Sequence, residues 1–299
     1  MIIQGTDKMK KAICLLFICL FTSAIYCNEQ ACYEFENQEY YFCAYYDDLR
    51  SPPFKFSFDN GVFYMDIPEL DDINIANEKP IKDSIQGRYT IRNENGFIYL
   101  LAADKKFLVL HSETVICVLI DCLNNDAFFG LNKNSKYISE AEGRRTFVGI
   151  TGRNPFHHNV SSFLTETIRG KTIKYDGTNE NYYYELTKPW VEGAEGYGIG
   201  EWIEKQPAGN AHGIVFFNGY IDPNRPDLYY ANSRIKEVAV TSKQGEFIFP
   251  IRDIPNPQIL LLPEGFNEIL RFTIKDVYRG SKYSDTCLAG IYFLRIRGQ

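Results

Sequence analysis

Short apolar and aromatic runs, each cut off by turn residues, follow one another along nearly the whole chain, and no segment repeats apolar residues at helical spacing. Period-2 runs between turn signals read as strands, so the chain is expected to be all-β with few, short helices. In the first part, residues 39–46, 54–58, 62–67, 87–91, 97–102, 107–110 and 115–120 read as strands. Asn60-Gly61 and Asn95-Gly96 between them are hairpin turns of the type that pair favours. Residues 70–83 are acidic and punctuated by proline, which predicts a loop. Strand signals return at 162–167, 171–175, 201–204, 212–217, 235–241, 246–251, 258–262, 268–277 and 290–296, with Lys243-Gln244-Gly245 as a hairpin turn. Between the two parts the polar stretch NKNSKYISEAEGRR predicts a linker over residues 134–160. The organisation expected is a smaller antiparallel β domain over 28–133, a barrel or a sandwich, followed by a sandwich or jelly roll over 161–299.

Composition agrees with this and narrows the function. Aromatics make up 15% of the 299 residues, with 21 Tyr and 22 Phe against 2 Trp, and such rings favour a pleated surface. The net charge of −6 argues against a nucleic-acid partner held by phosphate contacts. Lys8, Lys10 and Lys11 precede an uncharged run over 12–26, too short and too early for a membrane span. That pattern is a signal peptide over residues 1–24, with Thr22-Ser23-Ala24 offering the small residues of a cleavage site. Cys27 would be the attachment point of a lipoprotein, but Tyr26 before it is a poor fit. Removing residues 1–24, with three Lys and one Asp, takes the formal charge from −6 to −8. An acidic, exported chain without a transmembrane segment in its mature form is the expectation.

Five cysteines lie beyond the export segment and its border at Cys27: Cys32, Cys43, Cys117, Cys122 and Cys287. An oxidising destination would allow the local pairs Cys32–Cys43 and Cys117–Cys122. The other reading is that all are small buried apolar residues, which suits Cys287 best because alternation into the last strand turns it inward. No CxxC occurs, and the adjacent His157 and His158 lack further ligands, so no zinc site is expected.

The stretch from Pro189 to Tyr220 holds both tryptophans, Trp190 and Trp202, and a glycine-dense loop before Glu201. A buried strand over 212–217 follows and opens into Asn218-Gly219-Tyr220. With Asp176-Gly177, Pro189-Trp190-Val191-Glu192-Gly193, Gly198-Ile199-Gly200-Glu201-Trp202-Ile203, Tyr229-Tyr230 before Asn232 and Arg234, and Tyr278 to Cys287, these residues form an ordered set. The set resembles the discoidin-like (coagulation factor type C, galactose-binding-like) jelly roll, in the form of the NAD-glycohydrolase-type glycan-binding domain of exported bacterial proteins. The resemblance covers about residue 161 to the end. It implies a non-catalytic domain that holds a carbohydrate or glycoconjugate with loops at one end of the sandwich.

The side chains at those loops suit a sugar. Hydroxyls need planar donors and acceptors, which Glu192, Asn218, Asn232 and Arg234 could supply, and a pyranose ring needs an aromatic face, which Trp190, Tyr220 and Tyr229 could supply. The structural alternative for Trp190 is core packing, for Asn218-Gly219-Tyr220 a plain turn, and for Arg234 an ion pair with Asp253 or Asp285. Trp202 is expected in the core. Asp176-Gly177 stands where such folds can hold a structural Ca2+, but one acid among the six to eight oxygens calcium wants favours an Asx turn. No GxSxG, HExxH or GxxxxGK[ST] is present, and Gly196, Gly198 and Gly200 do not make a dinucleotide fingerprint. The expectation is a protein without enzymatic activity and without a cofactor; a secreted hydrolase of glycans and a structural or adhesion protein of the envelope are the alternatives.

Overall fold

The structure, a computed structural model, describes residues 33–42, 55–68, 81–112, 115–135, 138–141, 144–151, 158–178, 186–207 and 209–296. The signal segment, Cys27, Cys32, Cys43 and His157 lie outside the described residues. The chain divides into two compact units, residues 1–36 and 37–299. In the first, the described residues form one turn, closed by the Glu36 N–H donating to the Tyr33 carbonyl at 2.8 Å.

The second unit is almost entirely β. Its first eight strands are β1 (Glu39–Phe42), β2 (Lys55–Asp59), β3 (Val62–Pro68), β4 (Ile81–Glu94), β5 (Phe97–Ala102), β6 (Lys105–Ser112), β7 (Ile116–Asp121) and β8 (Ala127–Asn132). Each pairs with the next, and β8 pairs antiparallel with β1, so of the two architectures left open the barrel is the one formed. Both Asn-Gly pairs have positive φ at both residues, 48° and 77° at Asn60-Gly61 and 56° and 86° at Asn95-Gly96. That is the type I′ geometry whose twist matches the strands it joins. Strand β8 was not foreseen; its sequence AFFGLN closes the barrel. A Cβ on Gly130 in that strand would lie 2.5 Å from the Phe56 ring, so glycine makes room for the aromatic interior.

Alternation assigns the two faces. Tyr40, Phe56, Phe58, Phe63 and Phe107 fill the interior in edge and stacked contacts, with Tyr40 and Phe56 centroids 5.1 Å apart. The opposite face of β5 to β8 is just as apolar: Phe97, Tyr99, Leu108, Leu110, Ile116, Val118, Ile120, Phe129 and Leu131 all lie in one buried cluster with residues of the second half. Strands buried on both faces read as continuous apolar runs, which is why β7 is ICVLI in sequence.

The thirteen further strands are β9 (Ile138–Ala141), β10 (Arg144–Thr151), β11 (His158–Val160), β12 (Thr165–Ile168), β13 (Lys171–Lys174), β14 (Trp190–Val191), β15 (Trp202–Lys205), β16 (Gly213–Asn218), β17 (Ser233–Ser242), β18 (Gly245–Pro250), β19 (Gln258–Leu260), β20 (Leu270–Tyr278) and β21 (Thr286–Ile296). One helix among the described residues, α1 (Asp227–Ala231), is a single turn. Strands β11, β15, β20, β17 and β18 make one layer, and β10, β21, β16 and β19 make the facing one. Ile203, Val238, Val240, Phe272 and Ile274 from the first layer meet Ile214, Phe216, Leu260, Ile291 and Phe293 from the second, which is the core of a β-sandwich. The hairpin β12–β13 stands apart as a two-stranded sheet.

Three expectations are corrected here. The stretch 134–160 is no simple linker, because β9, β10 and β11 lie in it and β10 pairs with β21 over Val148–Thr151. A largely polar stretch with only a short apolar run hid these strands, of which β9 and β11 end the sheet. Trp202 is not core: its neighbour Ile203 points inward, so Trp202 faces out, half-buried under the Arg271 guanidinium 4.2 Å from its ring. The two halves, read as separate domains, share a core. Val215 and Phe217 on the back of β16, with Tyr292 and Leu294 on β21, face the barrel, so β16 is buried on both sides.

Cys117, Cys122 and Cys287 are free thiols, and Cys117 and Cys287 have no exposed surface. Burial pushes both of those thiols well above their ordinary value, and the thiolate is the reactive form. Cys287 is therefore expected to stay unmodified when the native protein is treated with iodoacetamide and mapped by mass spectrometry. Rapid labelling at Cys287 in folded protein would contradict the inward register of β21.

Candidate functional site

The loops named by the sequence do converge. Residues 192–200, 218–232 and 278–286 meet at one end of the sandwich, held by backbone bonds such as Glu192 N–H to Thr286 O, Gly219 N–H to Cys287 O and Tyr283 N–H to Ala231 O. What the structure changes is the part each side chain plays. Six of the seven expected sugar-binding residues are buried there.

Trp190 is 1% exposed and its indole N–H donates to the Ser162 carbonyl at 2.8 Å. The Glu192 carboxylate accepts the Ala194 N–H at 2.8 Å and the Thr286 N–H at 3.1 Å. Asn218 links two strands, its amide donating to the Ile235 carbonyl at 2.7 Å and accepting the Ile235 N–H at 3.0 Å. Asn232 donates back to the Leu228 carbonyl at 2.8 Å and closes the end of α1. Arg234 forks onto Asp253 at 2.9 and 2.7 Å, with the rings of Tyr229 and Tyr230 at 5.5 and 5.4 Å from its guanidinium. Tyr229 itself packs edge-on to Phe97 of the barrel at 5.8 Å. Buried polar groups are generally hydrogen-bonded, and here Trp190, Glu192, Asn218, Asn232 and Arg234 bond the backbone and side chains around them. They are the frame that fixes the loops. Asp176 forms an Asx turn, its carboxylate accepting the Thr178 N–H at 2.9 Å, and His158 Nε2 lies 2.7 Å from the Asp176 carbonyl.

Burial also sets the chemistry of Glu192. Loss of hydration raises its pKa from the ordinary 4.5, the two backbone N–H donors oppose the rise, and Asp285 and Glu201 add to it. A carboxyl whose folded pKa is raised contributes stability that is full below its unfolded pKa and is lost as pH rises through the folded one. The stability advantage of the native protein over Glu192→Gln is thus expected to shrink as pH rises above about 4.5, by denaturant titration. An advantage that grows over that range would show that the two donors outweigh burial.

Tyr220 remains accessible, and it is not alone. Its half-buried ring stands 6.5 Å from that of Tyr175, inclined at 60°, and the Tyr175 hydroxyl donates to the exposed Glu166 carboxylate at 3.0 Å. Tyr175 is pushed up to about 12 by burial first and by Glu166 second. Both Tyr175 and Glu166 were overlooked in the sequence. They belong to the β12–β13 hairpin, where Glu166 pairs with Ile173 and Tyr175 follows two residues on, which puts all three on one face. The Arg169-Gly170 turn, at φ 52° and 78°, was the signal for that hairpin. The outcome is an aromatic pair with a carboxylate at its edge, between a projecting hairpin and the 219–226 segment. Such a set can hold a flat, hydroxyl-bearing ligand.

The second part of the chain is thus a β-sandwich with its loops gathered at one end. Residues 157–294, just under half of the chain, match the family described as the NAD glycohydrolase translocation F5/8 type C domain. No curated protein matches the chain.

Proposed function

We propose that this protein is a non-catalytic carbohydrate-binding protein of exported bacterial type, whose discoidin-like jelly roll holds a glycan at the end where Tyr220, Tyr175 and Glu166 converge. The observation that carries the reading is the accessible Tyr175–Tyr220 pair with Glu166 hydrogen-bonded at its edge. Aromatic faces take the C–H side of a pyranose ring, and a carboxylate accepts from its hydroxyls. The F5/8 type C match supports binding over catalysis, and the translocation in that family's name supports export. A shallow site with one ring contact and a few hydrogen bonds should bind in the roughly micromolar to millimolar range. The barrel's role on this reading is to brace the sandwich through their common core.

The test is a glycan-array screen of the purified full chain, followed by titration of the best hit. Saturable binding that leaves the glycan chemically intact is expected. A glycan that is cleaved, with turnover removed by substituting one carboxylate, would replace this reading with a hydrolase.

A further inference from the structure

On the reading that this end binds carbohydrate, we infer that its ligand is an uncharged or cationic sugar and that Glu166 is the residue that turns acidic glycans away. Among the described residues, the charges that act on the aromatic pair are carboxylates. Glu166 bonds Tyr175 directly, and the Tyr220 phenol keeps its proton through burial first, with Asp222 and then Glu166 adding smaller contributions. Asp222 is fixed by its own turn, accepting the Asn224 and Arg225 N–H groups at 2.8 and 3.1 Å. The cation nearest in sequence, Arg225, is forked onto Asp227 at 2.9 and 2.8 Å and is thereby neutralised. On the hairpin, Lys174 pairs with Thr165 and so lies on the face away from Glu166, while Lys171, on the face of Glu166, pairs with Ile168 two pairs further toward the tip. An acidic sugar stacked on the tyrosines would thus meet Glu166 and Asp222, with Lys171 further out along the hairpin.

The test compares three probes on the full chain by titration at low ionic strength: lactose, 3′-sialyllactose and a glucosamine oligomer. Like charges held roughly 6–8 Å apart near a protein surface change affinity by about three- to tenfold. Lactose is therefore expected to bind about three- to tenfold tighter than sialyllactose, and the glucosamine oligomer to lose its binding advantage when salt is raised. Glu166→Gln keeps the shape and an acceptor for Tyr175, and should cut the lactose-to-sialyllactose ratio by about threefold. Equal binding of lactose and sialyllactose by the native protein overturns the inference and leaves the carbohydrate reading standing. So does a Glu166→Gln variant that weakens all three probes alike. Failure of every probe and of the wider array overturns both.

Discussion

Phe217→Ala is expected to destabilise the protein by about 3–5 kcal/mol and to bring the barrel and the sandwich down together. Phe217 has no exposed surface, and its ring lies 5.6 Å from those of both Phe129 and Tyr292. Phe129 is a barrel residue and Tyr292 belongs to β21, so the truncation opens a void shared by both halves. The surrounding strands are paired on both sides and cannot collapse to fill it, which puts the cost at the upper end for such changes. Urea unfolding followed by tryptophan fluorescence, which reports Trp190 and Trp202 in the sandwich, should show the same midpoint as a far-ultraviolet signal that reports all strands. Two separated transitions, with the loss confined to one, would contradict a common core.

Gly280→Ala is expected to cost roughly 3 kcal/mol, the high end for overpacking, because its neighbours are backbone and cannot rotate away. A Cβ there would stand 2.3 Å from the Tyr283 carbonyl oxygen, 2.5 Å from that of Ala231 and 2.5 Å from the Asn232 carbonyl carbon. Those atoms belong to the bonds that hold the 278–286 turn against α1, among them Tyr283 N–H to Ala231 O and Gly280 N–H to the Ser233 hydroxyl. Thermal unfolding should show the loss, and ligand binding should weaken with it as the loop end shifts. A variant as stable as the native protein would mean that the turn yields easily and that the loop frame is softer than its hydrogen bonds suggest.

Most strands were legible because their signals are local. Alternating runs and Asn-Gly turns placed β2, β3, β5, β6 and β7, and the apolar run after His212 placed β16. What was not legible depends on pairing at a distance. Strands β9 to β11 carry at most a short apolar run, and β10 is held by its pairing with β21 nearly 150 residues away, so the stretch looked like a linker. The motif residues could be grouped as loop ends from sequence, since glycine and asparagine at turns are visible there. Their roles could not be read there: Glu192 becomes internal only because the Thr286 N–H arrives from 94 residues away. Arg234 shows the same limit, with Asp253 among its candidate partners but the stacking of Tyr229 and Tyr230 unseen. Tyr175 and Glu166 sat in a run read simply as strands, and nothing local says that the two hairpin arms stand free of the sandwich.

The central claim is that the accessible aromatic pair binds sugar while the buried motif residues only hold the loops. The most direct measurement is titration of the array-selected glycan into Tyr220→Ala, with the melting temperature recorded beside it. Loss of one ring contact, worth about 0.5–1.5 kcal/mol, should weaken binding by roughly two- to tenfold while the melting temperature moves far less than in Phe217→Ala. Native affinity in folded Tyr220→Ala would contradict the account.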